Sequence, residues 1–275
     1  MRTTAAAVKR IILLLIITSS AACADTFYVR QGGNDQNDGK TAKTAFKSLL
    51  RAAQALNYGD GIVIGPGAYK ETVLIAERYA ADSSFMEIIG DENGKLTGDT
   101  AGPVIIQPAS LSAPALRISR ARNMIITGLT FRGPGDGLAL EKSLGVSVER
   151  CTFSQMRRGL NARLLDGLTV RSSLFERNTV ALCASGTSNV RIGHCTIANS
   201  SSVGVLVLGC GPGMIRSSIL GGNNTNILID ASSSACWSSD YNLIHGTTGP
   251  WGLTPMVYFA HEWSAASGQD RHSAH

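Results

Sequence analysis

The sequence lacks several features that would settle its class at once. The apolar run Ile11 to Ile17 is too short to span a bilayer. No Cys-x-x-Cys spacing occurs among its six cysteines, which argues against a structural zinc site. No marked charge surplus exists either. The chain has 25 Lys and Arg against 20 Asp and Glu, but Arg2, Lys9 and Arg10 lie in the first 24 residues, which hold no acid. Beyond them 22 basic residues face 20 acidic ones, a balance of +2, so no nucleic-acid partner is expected.

Those first 24 residues have the three-part layout of an export signal: a basic start, an apolar middle and the small-residue end Ser20-Ala21-Ala22-Cys23-Ala24. Cleavage is expected after Ala24, leaving Asp25 first, in a secreted or extracytoplasmic protein. The rival reading lipidates Cys23, the one route to membrane attachment considered, and Ser20 fits the position before such a cysteine poorly. Roughly 250 remaining residues suffice for one elongated domain.

What the sequence does contain is a repeat. From Met124 to Asn242 a short pattern returns about every 22 residues: IITGLTF, SVERCTF, TVRSSLF, RIGHCTI, MIRSSIL. Each segment alternates apolar and polar residues, the period of a strand with one buried face. Stacking them yields columns. One is Ile126, Val148, Val170, Ile192, Ile215; a second is Phe131, Phe153, Phe175, Ile197, Leu220; a third, from an intervening strand, is Leu116, Leu138, Leu160, Leu182, Val205, Ile227. A fixed period over five or six turns marks a solenoid. No helical spacing occurs inside the unit, and Gly, Asn and Ser separate its strands. The expected fold is therefore all-β, a parallel β-helix whose coils stack at about 4.8 Å.

Before the repeat, Asp25 to Val29 reads as a first strand, Gly32 to Gly39 as a turn-rich loop, and Thr44 to Leu56 as a short amphipathic helix. Phe46, Leu49, Leu50, Ala53 and Leu56 fall on its apolar face. Such a helix would cap the open end of the solenoid, where strand edges are unpaired. The expected domain runs from 25 to 245 with the cap over about 25–60. Asp91 to Thr100 reads as a polar loop leaving the coil, and 246–275 as a tail outside the repeat. In that tail Trp251, Tyr258, Phe259 and Trp263 are candidates to cover the last coil.

The order Phe27-Tyr28-Val29, Gly-Asn-Asp-x-Asn-Asp-Gly from Gly33, Ala45-Phe46-Lys47-Ser48, Gly59-Asp60 and Gly65-Pro66-Gly67-Ala68-Tyr69 resembles the N-terminal region of secreted right-handed parallel β-helix proteins of the pectate-lyase-like superfamily. The resemblance implies a right-handed solenoid and a polysaccharide partner, and, for an enzyme, a lyase acting by β-elimination. Fold analogy by itself does not establish a reaction.

Candidate chemistry is sparse. Cys151 and Cys195 share a column with Ser173 between them, roughly 9–10 Å apart at two coil spacings, beyond disulfide reach. They read as small buried residues. Cys210 and Cys236, in turns of adjacent coils, are the one pair worth testing as a disulfide. The loop Asn34 to Gly39 has the alternating oxygens of a calcium loop, but its twelfth position is Ala45 where a bidentate Glu would be needed. No metal site is expected there; its Asn and Asp side chains suit turns.

A lyase needs a base and a positive charge that neutralises a uronate carboxylate, while a glycoside hydrolase needs two facing carboxylates. The column register offers no carboxylate pair. Glu141 with Arg163 and Glu149 with Arg171 read as ladder pairs on the outer surface. The group left over is Arg157, Arg158, Arg163 and Arg177 around the third and fourth coils, candidates to hold an acidic sugar, with Arg158 or Arg163 as base. His194 reads as a solvated turn residue in a column with Gly128, Arg150, Ser172, Ser217 and Ser239. The expected function is an exported, monomeric β-helix that binds or processes polysaccharide. The alternative is a non-catalytic structural or adhesive envelope module, which would carry an outward row of aromatic or Thr residues.

Overall fold

The computed structural model describes residues 24–78, 85–249 and 258–274. The export-signal reading, Cys23 and Trp251 lie outside the described residues, as do the side chains of Tyr258 and Phe259.

The alternating segments fold as parallel strands on three sheets. Each coil visits them in turn. In one turn of the chain Arg122–Thr127 lies on sheet 1, Thr130–Arg132 on sheet 2 and Asp136–Glu141 on sheet 3, before Leu144–Glu149 returns to sheet 1. Among the described residues sheet 1 has nine strands, sheet 2 eight and sheet 3 seven. The register pairs Val148 with Ile126 and Val170, Phe153 with Phe131 and Phe175, and Leu160 with Leu138 and Leu182, so the columns of the sequence are columns in space.

These columns are the core. The residues named are fully buried, and Phe131, Phe153 and Phe175 stack with ring centroids 5.0 and 4.6 Å apart, nearly parallel. Most corners turn on a residue in the left-handed region. Gly128, Arg150, Ser172, His194, Ser217 and Tyr241 form one such file, with φ of 48–69°. Tyr241, not Ser239, ends it: the turn after Thr225–Ile229 lengthens the spacing, and Ser239 pairs with Ile215 inside the strand.

The corners are also riveted from coil to coil. The Ser173 hydroxyl accepts a hydrogen bond from the Cys151 amide at 3.1 Å and donates to the Arg171 carbonyl. Ser218 does the same for Cys195, and Ser233 accepts from the Cys210 amide. The thiols of Cys151 and Cys195 donate to carbonyls two residues back. Buried Asn178 and Asn223 rivet the next corner, and Asn242 the same corner as Ser218, each accepting an amide and donating to a carbonyl of the preceding coil. These bonds satisfy backbone groups that leave the strand ladders at the bends.

Cys210 and Cys236 are free thiols, the first bonded to the Leu208 carbonyl and the second to the Ser233 carbonyl.

At the N-terminal end, α1 (Leu49–Ala55) is capped by Ser48. Its buried face is Leu49, Ala52 and Ala53, continued by Leu56. Leu50, expected on that face, is 44% exposed; with the helix starting at Leu49, position 50 points a quarter turn away. At the other end Trp263, in α2 (Ala260–Ser267), is fully buried and donates to Asp270. Residues 270–274 then return to the last coil: the Asp270 amide bonds Ser239, and Ala274 bridges Leu243. Among the described residues no helix is long and apolar enough to cross a membrane.

Candidate functional site

After the sheet 1 strand Met86–Gly90 the chain leaves the coil and runs out as a hook over residues 91–102. Its shape follows from two aspartates. Asp91 is buried, and one carboxylate oxygen accepts from the Leu96 amide, the Thr97 amide and the Thr97 hydroxyl at 2.7–2.9 Å. Asp99 receives the Arg30 guanidinium on both oxygens, and Arg30 also donates to the Ala42 carbonyl. Arg30 holds the Asp99 carboxyl below the usual range. Gly94, at φ +68°, passes so close to the Asp99 carbonyl that a Cβ would lie 1.9 Å from its oxygen. The hook is thus fixed internally by Asp91 and externally to the N-terminal cap by Asp99.

Beneath the hook lies a cleft of about 360 Å³. Gly90 and Gly128 form its floor, Ile89 and Leu96 line it with apolar surface, and Glu92, Lys95 and Arg150 bring charge to it. Arg150 stands one coil beyond Gly128 on the left-handed corner, and its guanidinium leans back to donate to the Thr127 hydroxyl at 3.1 and 3.3 Å. Glu92 reaches solvent, yet crowding around its carboxyl raises its pKa, and Arg150 pulls it partly back. A carboxyl with a raised pKa that shares a cleft with two cations can bind an anionic sugar and exchange a proton with it.

The arginines singled out in the sequence lie away from this cleft, three of them at one corner and Arg163 apart from those three. Arg157 is committed to Asp136 through two hydrogen bonds of 2.8 Å. Arg158 opens the strand Arg158–Arg163 in register with Asp136 and Val180. Arg177 occupies a left-handed bend in the next coil, so Arg157, Arg158 and Arg177 border one corner between sheets 2 and 3. Arg163 closes the same strand, roughly 16 Å away at the rise of a β-strand. Glu149 and Arg171 form the expected ladder pair at 2.7 Å.

In the loop 34–39 the oxygens serve the chain itself: Asn34 accepts from the Gln36 amide, Asp38 from Lys40, and Asp35 from the amides of Lys47 and Ser48. Among the described residues no three His, Cys, Asp or Glu side chains gather as a metal site. Glu92, Lys95 and Arg150 went unrecognised in the sequence. The signals present were the polar interruption after Ile89 and an arginine one period past a glycine.

A family model for the right handed beta helix region matches residues 106–248. The chain belongs to the right-handed β-helix family. It is similar to an alginate lyase from Paenibacillus sp. (TM-score 0.59, 14% identity, covering 80% of this chain and 87% of that one). It is similar also to a pectate lyase (0.57, 15%, 92% and 75%) and to a rice weevil pectin methyl esterase (0.51, 10%, 86% and 87%). At these identities the likeness is one of fold. No curated protein matches the sequence.

Proposed function

We propose that this right-handed β-helix is an exported protein that binds and processes an acidic polysaccharide in the cleft under the 91–102 hook. The observation that carries this reading is the juxtaposition of Glu92, its carboxyl pKa raised, with Lys95 and Arg150. In a β-elimination the two cations would neutralise the uronate carboxylate. Glu92 in its ionised form would take the proton from the neighbouring carbon, and the electron pair would form the double bond as the glycosidic oxygen leaves. Names of structurally similar proteins, a pectate lyase and an alginate lyase among them, support the substrate class.

The test is absorbance near the unsaturated-uronate band, with residues 25–275 incubated against pectate, alginate and glycosaminoglycans, with and without calcium. A rise abolished by Glu92→Gln and by Arg150→Ala is the expected result. No rise on any substrate, with binding retained, overturns the lyase reading and leaves a binding solenoid.

One observation favours the non-catalytic, adhesive alternative. The outer row of sheet 2 runs Thr152, Leu174, Thr196, Ile219, Leu243 in register, a Thr and aliphatic file unlike the mixed charges of sheet 1. Adhesion to insoluble polysaccharide that survives Glu92→Gln and is lost on Thr152→Lys with Thr196→Lys would favour it.

A further inference from the structure

Sheet 1 has a second charged corner, at the opposite end of its strands. The strand Leu144–Glu149 is preceded by Lys142 and followed by Arg150, both at left-handed bends. Eight residues separate them, roughly 26 Å of extended chain. Around Lys142 lies a cleft of about 220 Å³ lined by Glu141, Lys142, Arg163 and Leu164. The Lys142 amide bonds the Arg163 carbonyl at 2.9 Å, so the two cations sit on stacked coils. Both are exposed, and neither has an ion-pair partner among the described residues; Glu141 faces Arg117 at 3.8 Å. Leu164, 48% exposed, supplies an apolar wall.

From this geometry we infer a second binding site, for one anionic sugar unit of a polysaccharide, at Lys142 and Arg163. The carboxylate or sulfate lies between the ammonium and the guanidinium, Leu164 packs on the sugar's apolar face, and Glu141 accepts from a hydroxyl. Two unpaired cations beside a carboxylate suit a singly charged sugar bearing hydroxyls. A polyphosphate would meet Glu141 as a repulsion and would need a longer row of cations. The site shares the substrate class proposed above but not its chemistry, and of the two roles read for Arg163 in the sequence it keeps the anchor and not the base.

The test titrates residues 25–275 carrying Glu92→Gln, which blocks turnover, with tetragalacturonate, a sulfated chondroitin tetrasaccharide and a neutral galactose tetramer, by calorimetry. Lys142→Ser with Arg163→Ser is expected to weaken one class of sites at least tenfold for an anionic saccharide and to flatten its salt dependence; which anion responds identifies the charged group. Arg150→Ala should remove the other class. An isotherm unchanged by the double substitution, or equal binding of the neutral tetramer, overturns the site. Failure of the lyase assay leaves this result standing, since neither cation touches the first cleft. Both residues are exposed, and a melting curve superimposable on the parent's confirms that the variant folds.

Discussion

Gly90 and Gly128 face each other on adjacent coils at a separation that excludes a side chain: a Cβ on Gly90 would lie 1.9 Å from the Gly128 carbonyl oxygen. They form the floor of the main cleft, so its depth depends on two missing side chains. Gly90→Ala is expected to destabilise the fold by about 1–3 kcal/mol through overpacking and to abolish saccharide binding under the hook. Gly98→Ala is the control. It too has positive φ, +75°, but nothing within 4 Å of its Cβ, so it should carry only the backbone strain, about 1–2 kcal/mol, with binding intact. Equal loss of binding in both variants would remove the steric argument.

The cleft also makes opposite predictions for pH at two carboxyls. Folding raises the Glu92 pKa, so its contribution to stability is full below its unfolded pKa, near 4.3, and is lost as pH rises through the folded value. Glu92→Gln should therefore leave the protein as stable as the parent or more so at pH 7, while eliminating turnover. Folding lowers the Asp99 pKa through Arg30, so that contribution is present above about pH 4 and is lost as pH falls through the folded value. Arg30→Ala should flatten the acid limb of the stability curve, measured by urea midpoints between pH 3 and 7. A midpoint for Glu92→Gln well below the parent's at pH 7 would contradict the upward shift of its carboxyl.

The repeat was legible because side-chain period and coil period coincide: Ile126, Val148 and Val170 occupy the same place in each segment and the same column in space. A one-residue slip would turn that column outward. Leu50 was misread because helix phase depends on the first helical residue, which the Ser48 cap sets. The candidate site was less legible for a similar reason. Arg157, Arg158 and Arg163 are close in sequence, but a strand is long, and four residues separate the ends of Arg158–Arg163. Glu92 and Arg150 are far apart in sequence and meet only because the hook folds back, held by Asp91 and by Asp99 with Arg30. Hydrogen bonds of that kind have no period to detect.

Thiol reactivity follows from the stacking. Burial pushes the Cys151 thiol up to about 12 and Cys195 up to about 11, and Cys183 and Cys210 are also buried and raised. Cys236 is exposed. Among the five described cysteines, Cys236 alone should react with a thiol reagent in the native protein at neutral pH, and Cys236→Ser should abolish that rapid phase. Rapid modification at Cys151, mapped by mass spectrometry, would mean that the corner opens.

Position along the Phe column decides how much each ring contributes. Phe153 stacks on Phe131 and on Phe175, whereas Phe175 has Ile197 as its next neighbour. Phe153→Ala removes two ring contacts and leaves a cavity in the middle of a solenoid whose coils touch only their neighbours; a loss of about 3–5 kcal/mol is expected. Phe153→Leu, which keeps most of the apolar volume and matches Leu220 later in the same column, should cost less than half of that. Because coupling runs along the column, Phe131→Ala combined with Phe153→Ala should destabilise by less than the sum of the two, the shared stack being counted once. Additive losses, read from urea midpoints of the four proteins in the cycle, would show that the rings contribute by burial and not by contact with one another.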